Sequence, residues 1–262
     1  MPTTYAHVSF GDRVFDRLDD EIKELLTAHL SLFQIGLHGP DIFLYYMPLR
    51  PDPIKSIGRR MHKEPASRFL ANGRIIQQES PYQDASTAYL LGFLCHFMLD
   101  SECHPLVREV ESSQLLHNEI ETEFDRALLL RDNKEPQTYR PTAHLIVDPE
   151  ISRCISGFYD GASPEEVRDS IRSMRRYLNL FVAPRNPKRA LLVGTLKLFG
   201  LYPRLHGMLM SKTPNPACAE INFRLLDAFD DVVAPTVEIL QEFYRHRHDD
   251  SLLNPRLELN FG

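Results

Sequence analysis

Apolar residues recur at helical spacing through most of the chain. In residues 16–34, Leu18, Ile22, Leu25, Leu26, Leu30 and Phe33 fall three or four positions apart, which predicts one helix. Residues 36–60 are interrupted by Gly36, Gly39, Pro40, Pro48, Pro51 and Pro53 and read as a long ordered loop, of the kind that often carries function. A helix over about 62–79 follows. The next, over about 84–103, has Asp84 as a suitable N-cap. From Ala85 to Leu99 it is apolar on nearly every face, the mark of a central, buried helix, and Pro105 is expected to end it. Ser113 opens a helix through Leu130, with Leu116, Ile120, Phe124, Ala127 and Leu128 on one stripe. Further helices are expected near 149–158, 164–182 and 187–200. Ser163-Pro164-Glu165-Glu166 supplies a cap, a first-turn proline and early acids for the second of these. The last long helix, about 216–247, is expected to be capped by Asn215 and kinked at Pro235. With no alternating strand pattern, internal repeat or low-complexity linker, the pattern predicts an all-α, multi-helix bundle forming a single domain over residues 1–262.

Composition narrows the classes. The formal net charge is −6 and there is no tryptophan. Both disfavour a nucleic acid as partner, because phosphate backbones call for a basic face and unpaired bases for aromatic stacking platforms. The start, Met1 to His7, has no apolar stretch after a basic segment, and no apolar run approaches the ~18 residues of a membrane span. A soluble, cytoplasmic protein is therefore expected. Cys95, Cys103, Cys154 and Cys218 are scattered without a C-x-x-C pair, so they read as free thiols rather than as a zinc knuckle or disulfide framework.

The chemistry concentrates on two consecutive helices. His96-x-x-x-Asp100 places two polar groups one turn apart on one face of the apolar helix, with His104 a further turn along. A buried carboxylate is costly unless it is paired or ligates a metal. The following helix carries His117-x-x-x-Glu121, a second pair on one face. Each pair alone reads equally as a buried hydrogen bond or a surface ion pair. Two pairs with His104 between them favour zinc, which takes imidazole nitrogen and carboxylate oxygen. Upstream lie His7, His38, Asp41 and His62. Each singly suits a cap or a surface position, but together they add donors. The run Arg168–Arg176 is a basic helix face, able to meet a phosphate headgroup or simply to be solvated. H-E-x-x-H, Glu-x-x-His, a P-loop, G-x-G-x-x-G and G-x-S-x-G are absent.

The series His7, Gly36-Leu37-His38-Gly39-Pro40-Asp41, His62, His96-x-x-x-Asp100, His104 and His117-x-x-x-Glu121 resembles the zinc-dependent phospholipase C family of bacteria, whose helical fold is shared with single-strand-specific zinc nucleases. The resemblance covers residues 7 to 121. It implies two or three zinc ions: one on Asp41, His62, His96 and Asp100, a second on His104, His117 and Glu121, and a third bridged by Asp100 and shared with His7 and the N-terminal backbone at Met1 or Pro2. It further implies a phosphodiester hydrolase in which metal-activated water attacks phosphorus. Asp41 would then be the catalytic proton acceptor, although a ligand role explains it as well. His38 has no matched role and is a candidate for substrate contact. The expected substrate is a small phosphodiester or a phospholipid headgroup. The alternatives are a single-strand nuclease on the same fold and a non-catalytic binding protein stabilised by its metal.

Overall fold

The computed structural model describes residues 4–48, 50–248 and 254–262, and among these it is all helical, with no strand. Its centre is α6, Gln83–Val110. Packed on α6 are α1 (Thr4–Phe15), α2 (Asp20–Ala28), α3 (Leu30–Gly36), α5 (Ala66–Glu79), α7 (His117–Arg131), α8 (Pro149–Ser156), α12 (Ala219–Asp231) and α13 (Val233–Arg245). The remaining elements are α4 (Pro53–Met61), α9 (Pro164–Phe181), α10 (Asn186–Leu198), α11 (Tyr202–Leu205), a 3-10 turn Gly39–Tyr45 and three shorter ones at His206–Met208, Pro216–Cys218 and Pro255–Glu258. From Ala85 to Asp100 every residue of α6 is buried, as the all-round apolar sequence requires. One core cluster runs from Tyr5 to Phe261, and a small separate one beneath α10 comprises Phe181, Ala183, Leu192, Leu196 and Leu209.

Several boundaries differ from the sequence expectation, each for a physical reason. Residues 4–15 form a helix that the pattern did not reveal, because Thr4, His7 and Ser9 are buried beside Tyr5, Phe10 and Val14 and blur its polar face. The helix expected over 16–34 is two, broken where His29 leaves helical geometry at φ −122° and ψ 34°. The stretch 36–60 is not simply a loop but holds the 3-10 turn and α4, and Asp52 caps α4 through the Ile54 amide. His62 follows the end of α4 rather than opening α5. Asp84 lies inside the first turn of α6 and does not cap it. Pro105 does not end α6. It faces solvent, and burial of Val107 two residues on outweighs the backbone bond that a proline cannot make. The helix expected from Ser113 begins at His117. The last helix is interrupted at Val232, so Pro235 sits in the first turn of α13, where no N–H is needed. The Ser163 capping box and the Asn215 cap are present as expected.

The closest helix crossing in the core is that of α3 on α6, and it depends on two glycines. A Cβ at Gly92 would lie 2.2 Å from the Phe33 carbonyl and 2.9 Å from the Gly36 Cα. Backbone cannot retreat as a flexible side chain can, so the crossing tolerates no larger residue. It also aims the chain leaving α3 toward the middle of α6. Gly92→Val is expected to destabilise the protein by about 3 kcal/mol or more through overpacking, while Gly194→Ala, on open helix surface, should be neutral or stabilising by about 0.5 kcal/mol. Denaturant unfolding of both variants checks this.

Candidate metal centre

One face of α6 presents His96, Asp100 and His104 at successive turns, all three buried. Asp100 stands in the middle and its two oxygens look opposite ways. Oδ1 is 3.3 Å from His7 Nε2 and 3.5 Å from His104 Nε2. Oδ2 is 3.3 Å from His96 Nε2 and 3.7 Å from His62 Nε2. Asp41 Oδ1, delivered by the 3-10 turn, lies 3.0 Å from His62 Nε2 and 4.0 Å from His96 Nε2. At the other end Glu121 Oε1 is 3.2 Å from His117 Nε2 and 3.6 Å from His104 Nε2. The structure thus brings together all eight residues singled out in the sequence. They fall into three sets, His7–His96–Asp100, Asp41–His62–His96 and His104–His117–Glu121, in each of which the donor atoms lie within 4.8 Å of one another. His96 is shared between two sets, where the resemblance implied sharing through Asp100. The N-terminal backbone at Met1 or Pro2 lies outside the described residues.

The fold fixes which nitrogen each ring offers. His62 Nδ1–H donates to the Gly58 carbonyl at 2.7 Å, one turn back on α4. His104 Nδ1–H donates to the Phe261 carbonyl at 2.7 Å. His117 Nδ1 is 2.7 Å from the Glu111 carboxylate. Carbonyls and carboxylates only accept, so Nδ1 carries the proton in each ring and Nε2 is turned to the cluster. Gly39, at φ 45°, lets the 3-10 turn close over His96, where a Cβ would come within 2.4 Å of the ring.

Charge is unbalanced in this interior. Asp41, Asp100 and Glu121 are buried, and among the described residues their ion-pair partners are all histidines. Burial opposes charge on His62 and His104, yet the adjoining carboxylates win. Asp100 and Asp41 push His62 up to about 10, and Asp100 with Glu121 pushes His104 up to about 9. His96, fully buried, is held down at about 4 by desolvation. Burial likewise opposes ionisation of Asp100 and Glu121, but the surrounding imidazoles lower both. Even so, His62 Nε2, His96 Nε2, Asp41 Oδ1, Asp100 Oδ2 and Glu121 Oε2 have no hydrogen-bond partner among the described residues. Buried polar atoms are rarely left so. Close but unbonded donors of this type, N and O together, fit zinc.

Two features of the centre were missed in the sequence. Asp125, one turn beyond Glu121 on α7, accepts from the backbone N–H groups of Tyr5 at 3.2 Å and Ala6 at 2.9 Å. These are orphan donors of the first turn of α1, so α7 caps the helix that carries His7. Asp132, at the end of α7, takes the Tyr5 hydroxyl, Ser9 and Arg13 from the same helix. The spacing Glu121-x-x-x-Asp125 was the available signal. The second feature is the segment 254–262. Phe261 is buried, with its ring centroid 4.9 Å from that of His62 and 5.7 Å from that of His96. On its other side Phe261 lines a cavity of ≈ 480 Å³ with Met61, Phe69 and Tyr159. His38, expected as a substrate contact, is buried, and its Nε2 lies 2.6 Å from His144 Nε2. Burial lowers the pKa of both rings, so one donates and one accepts as neutral imidazoles.

The model of the zinc-dependent phospholipase C family matches residues 6–165, a span that holds all eight residues and both members of the His38–His144 pair. The chain belongs to that family. No curated protein and no solved structure matches it significantly. Its buried His, Asp and Glu sets are compatible with the zinc on which the family depends.

Asp125→Ala is expected to lower stability by about 1–3 kcal/mol, because two helix N-terminal N–H groups lose their buried acceptor. Hydrogen exchange at Tyr5 and Ala6 should accelerate more than at α6. Equal acceleration everywhere would remove the capping role.

Proposed function

We propose that the chain is a zinc-dependent phosphodiester hydrolase of the phospholipase C type, using two or three zinc ions on a small phosphodiester or phospholipid headgroup. The observation that carries this reading is the convergence of unsatisfied, buried Nε2 and carboxylate atoms on the three sides of Asp100. Bound zinc would supply an activated water and positive charge opposite the phosphate oxygens. The chain's own part is positioning. Asp100 turns Oδ1 to His7 and His104 and Oδ2 to His96 and His62, so its carboxylate would help hold metal among these rings. The bonds at Nδ1 of His62, His104 and His117 keep each Nε2 aimed inward. Asp41 Oδ1 is nearer to His62 Nε2 than any other carboxylate oxygen is, which supports a ligand role for it; proton acceptance from water is the role its second oxygen can take. His117 is the most open of the eight, its side chain 31% exposed, and this end is where a phosphodiester would reach the centre.

Elemental mass spectrometry of the purified protein tests the reading. Two or three zinc equivalents are expected, with loss of zinc and of chromogenic phosphodiester cleavage in Asp100→Ala and His117→Ala. Undiminished cleavage in both variants would sink the reading. Glu111→Gln should weaken zinc binding about 10–100-fold through the His117 ring. A large fall in melting temperature on chelation, with no turnover of any ester, would instead favour the non-catalytic reading. Preferential cleavage of single-stranded DNA would favour the nuclease.

Zinc uptake also has a proton signature. With neighbouring carboxylates raising His62 to about 10 and His104 to about 9, both rings are expected to be protonated at pH 7.5 before zinc binds. A zinc ligand must be neutral. Binding at pH 7.5 should therefore release about two protons, and affinity should strengthen as pH rises toward 9. Calorimetry in buffers of different ionisation enthalpy reads the number. Zero release would mean that zinc binds elsewhere.

A further inference from the structure

The chain segregates its charge. Residues 170–219 contain nine Lys and Arg and no Asp or Glu, within a protein whose net charge is −6. The three most exposed large apolar side chains among the described residues fall in the same stretch: Leu198 at 81%, Phe199 at 69% and Leu191 at 74%. All three belong to α10 or its C-cap. Leu191 and Leu198 are seven residues apart and share one side of the helix with exposed Gly194 and Thr195. The opposite side buries Leu192 and Leu196 in the small separate cluster. α10 is thus apolar on two faces, with only one of them satisfied by the fold. Exposed Arg185, Lys197 and Arg204 rim the open face.

This surface is firmly held beside the metal centre. Asn118, next to His117, donates to the Arg204 carbonyl at 3.0 Å. Glu123 of α7 accepts from Ser211 Oγ and from the Asn215 amide, each at 3.0 Å. The chain that follows α10 is therefore moored on the helix that begins with His117, the most exposed member of the centre.

We propose that the exposed face of α10, Leu191–Phe199, is a docking surface for an anionic lipid bilayer, with the leucines and Phe199 entering the headgroup–acyl boundary and the basic rim meeting lipid phosphates. An apolar stripe flanked by Lys and Arg, with no acid nearby, is the pattern of a helix lying in a membrane interface. The charge argues against the main competitor: a symmetric pair of copies would set one basic rim against another. No helix among the described residues is long and apolar enough to cross a membrane, so the contact is peripheral. The proposal stands on this surface alone, and vesicle binding is read without turnover, so failure of the zinc assignment leaves it intact.

Co-sedimentation of the full chain with phosphatidylcholine vesicles, with and without phosphatidylglycerol, tests it. Binding is expected only with the anionic lipid and should weaken with salt. Leu191→Ser/Leu198→Ser/Phe199→Ser should bind at least about tenfold more weakly, since it removes the apolar area that would enter the bilayer, with little change in melting temperature because these side chains are mostly exposed. Lys197→Glu/Arg204→Glu, a variant independent of the apolar stripe, should lose the preference for anionic lipid. No vesicle binding by the wild type, or binding unaffected by both variants, overturns the proposal. So does concentration-dependent dimerisation, seen by sedimentation velocity and abolished by the triple variant, in a protein that ignores vesicles.

Discussion

The ionised carboxylate of Asp100, sealed in the middle of the most buried helix, is the constraint around which the rest is arranged. Its burial would be prohibitive alone, and no lysine or arginine approaches it among the described residues. Four imidazoles from two helices, α1 and α6, and the end of a third, α4, surround it instead. Imidazole suits this place because it can carry charge beside a carboxylate, as at His62 and His104, and when neutral can donate a lone pair to a metal. A lysine would hold the same carboxylate permanently and close the centre to any ion. The raised pKa values of His62 and His104 follow from this crowding of carboxylates, which favours a positive charge on the rings beside them.

Convergence on Asp100 demands close backbone approach and fixed ring orientation, and much of the fold serves these two needs. Gly36 and Gly92 bring α3 onto α6, which feeds the turn with Asp41 to the centre. Gly39 then lets that turn pass over the His96 ring. Orientation comes from acceptors drawn from separate parts of the chain: the Gly58 carbonyl, the Phe261 carbonyl and the Glu111 side chain. Phe261 is the most distant of these in sequence. It contributes both an acceptor for His104 and an aromatic wall against His62 and His96. The centre is thus not confined to the first half of the chain, since residue 261 helps set the donor atom of residue 104.

The sequence made the central helix legible because α6 is apolar all round, so its few polar residues stood out against that background. The pairs His96–Asp100 and His117–Glu121 were readable for the same reason: a spacing of four is one helical turn whatever the tertiary context. What escaped was whatever depended on contacts distant in sequence. Helix α1 hid because its polar residues turn inward, Ser9 to Asp132 and His7 to Asp100, and a pattern cannot show that a polar residue faces inward. Pro105 misled because the cost of one lost backbone bond is local, whereas the burial that outweighs it is tertiary. The pairing of His38 with His144 joins a turn to a loop more than a hundred residues away, and no spacing rule reaches that far.

The same reasoning separates two kinds of surface. Around the metal centre, acidic groups are drawn inward and neutralised by histidine, leaving the opening at His117 flanked by the acidic start of α7. On the neighbouring α10 segment the acids vanish and basic residues surround exposed leucines. The proposed removal of a charged ester from an interface would require both conditions: a centre whose negative donors attract cations, and a rim whose cations tolerate lipid phosphates. One uniformly charged face could not do both, because donors strong enough to hold zinc would repel the headgroup layer. Placing the two on separate elements, with the chain after α10 bonded to Asn118 and Glu123 of α7, lets each keep its own sign of charge.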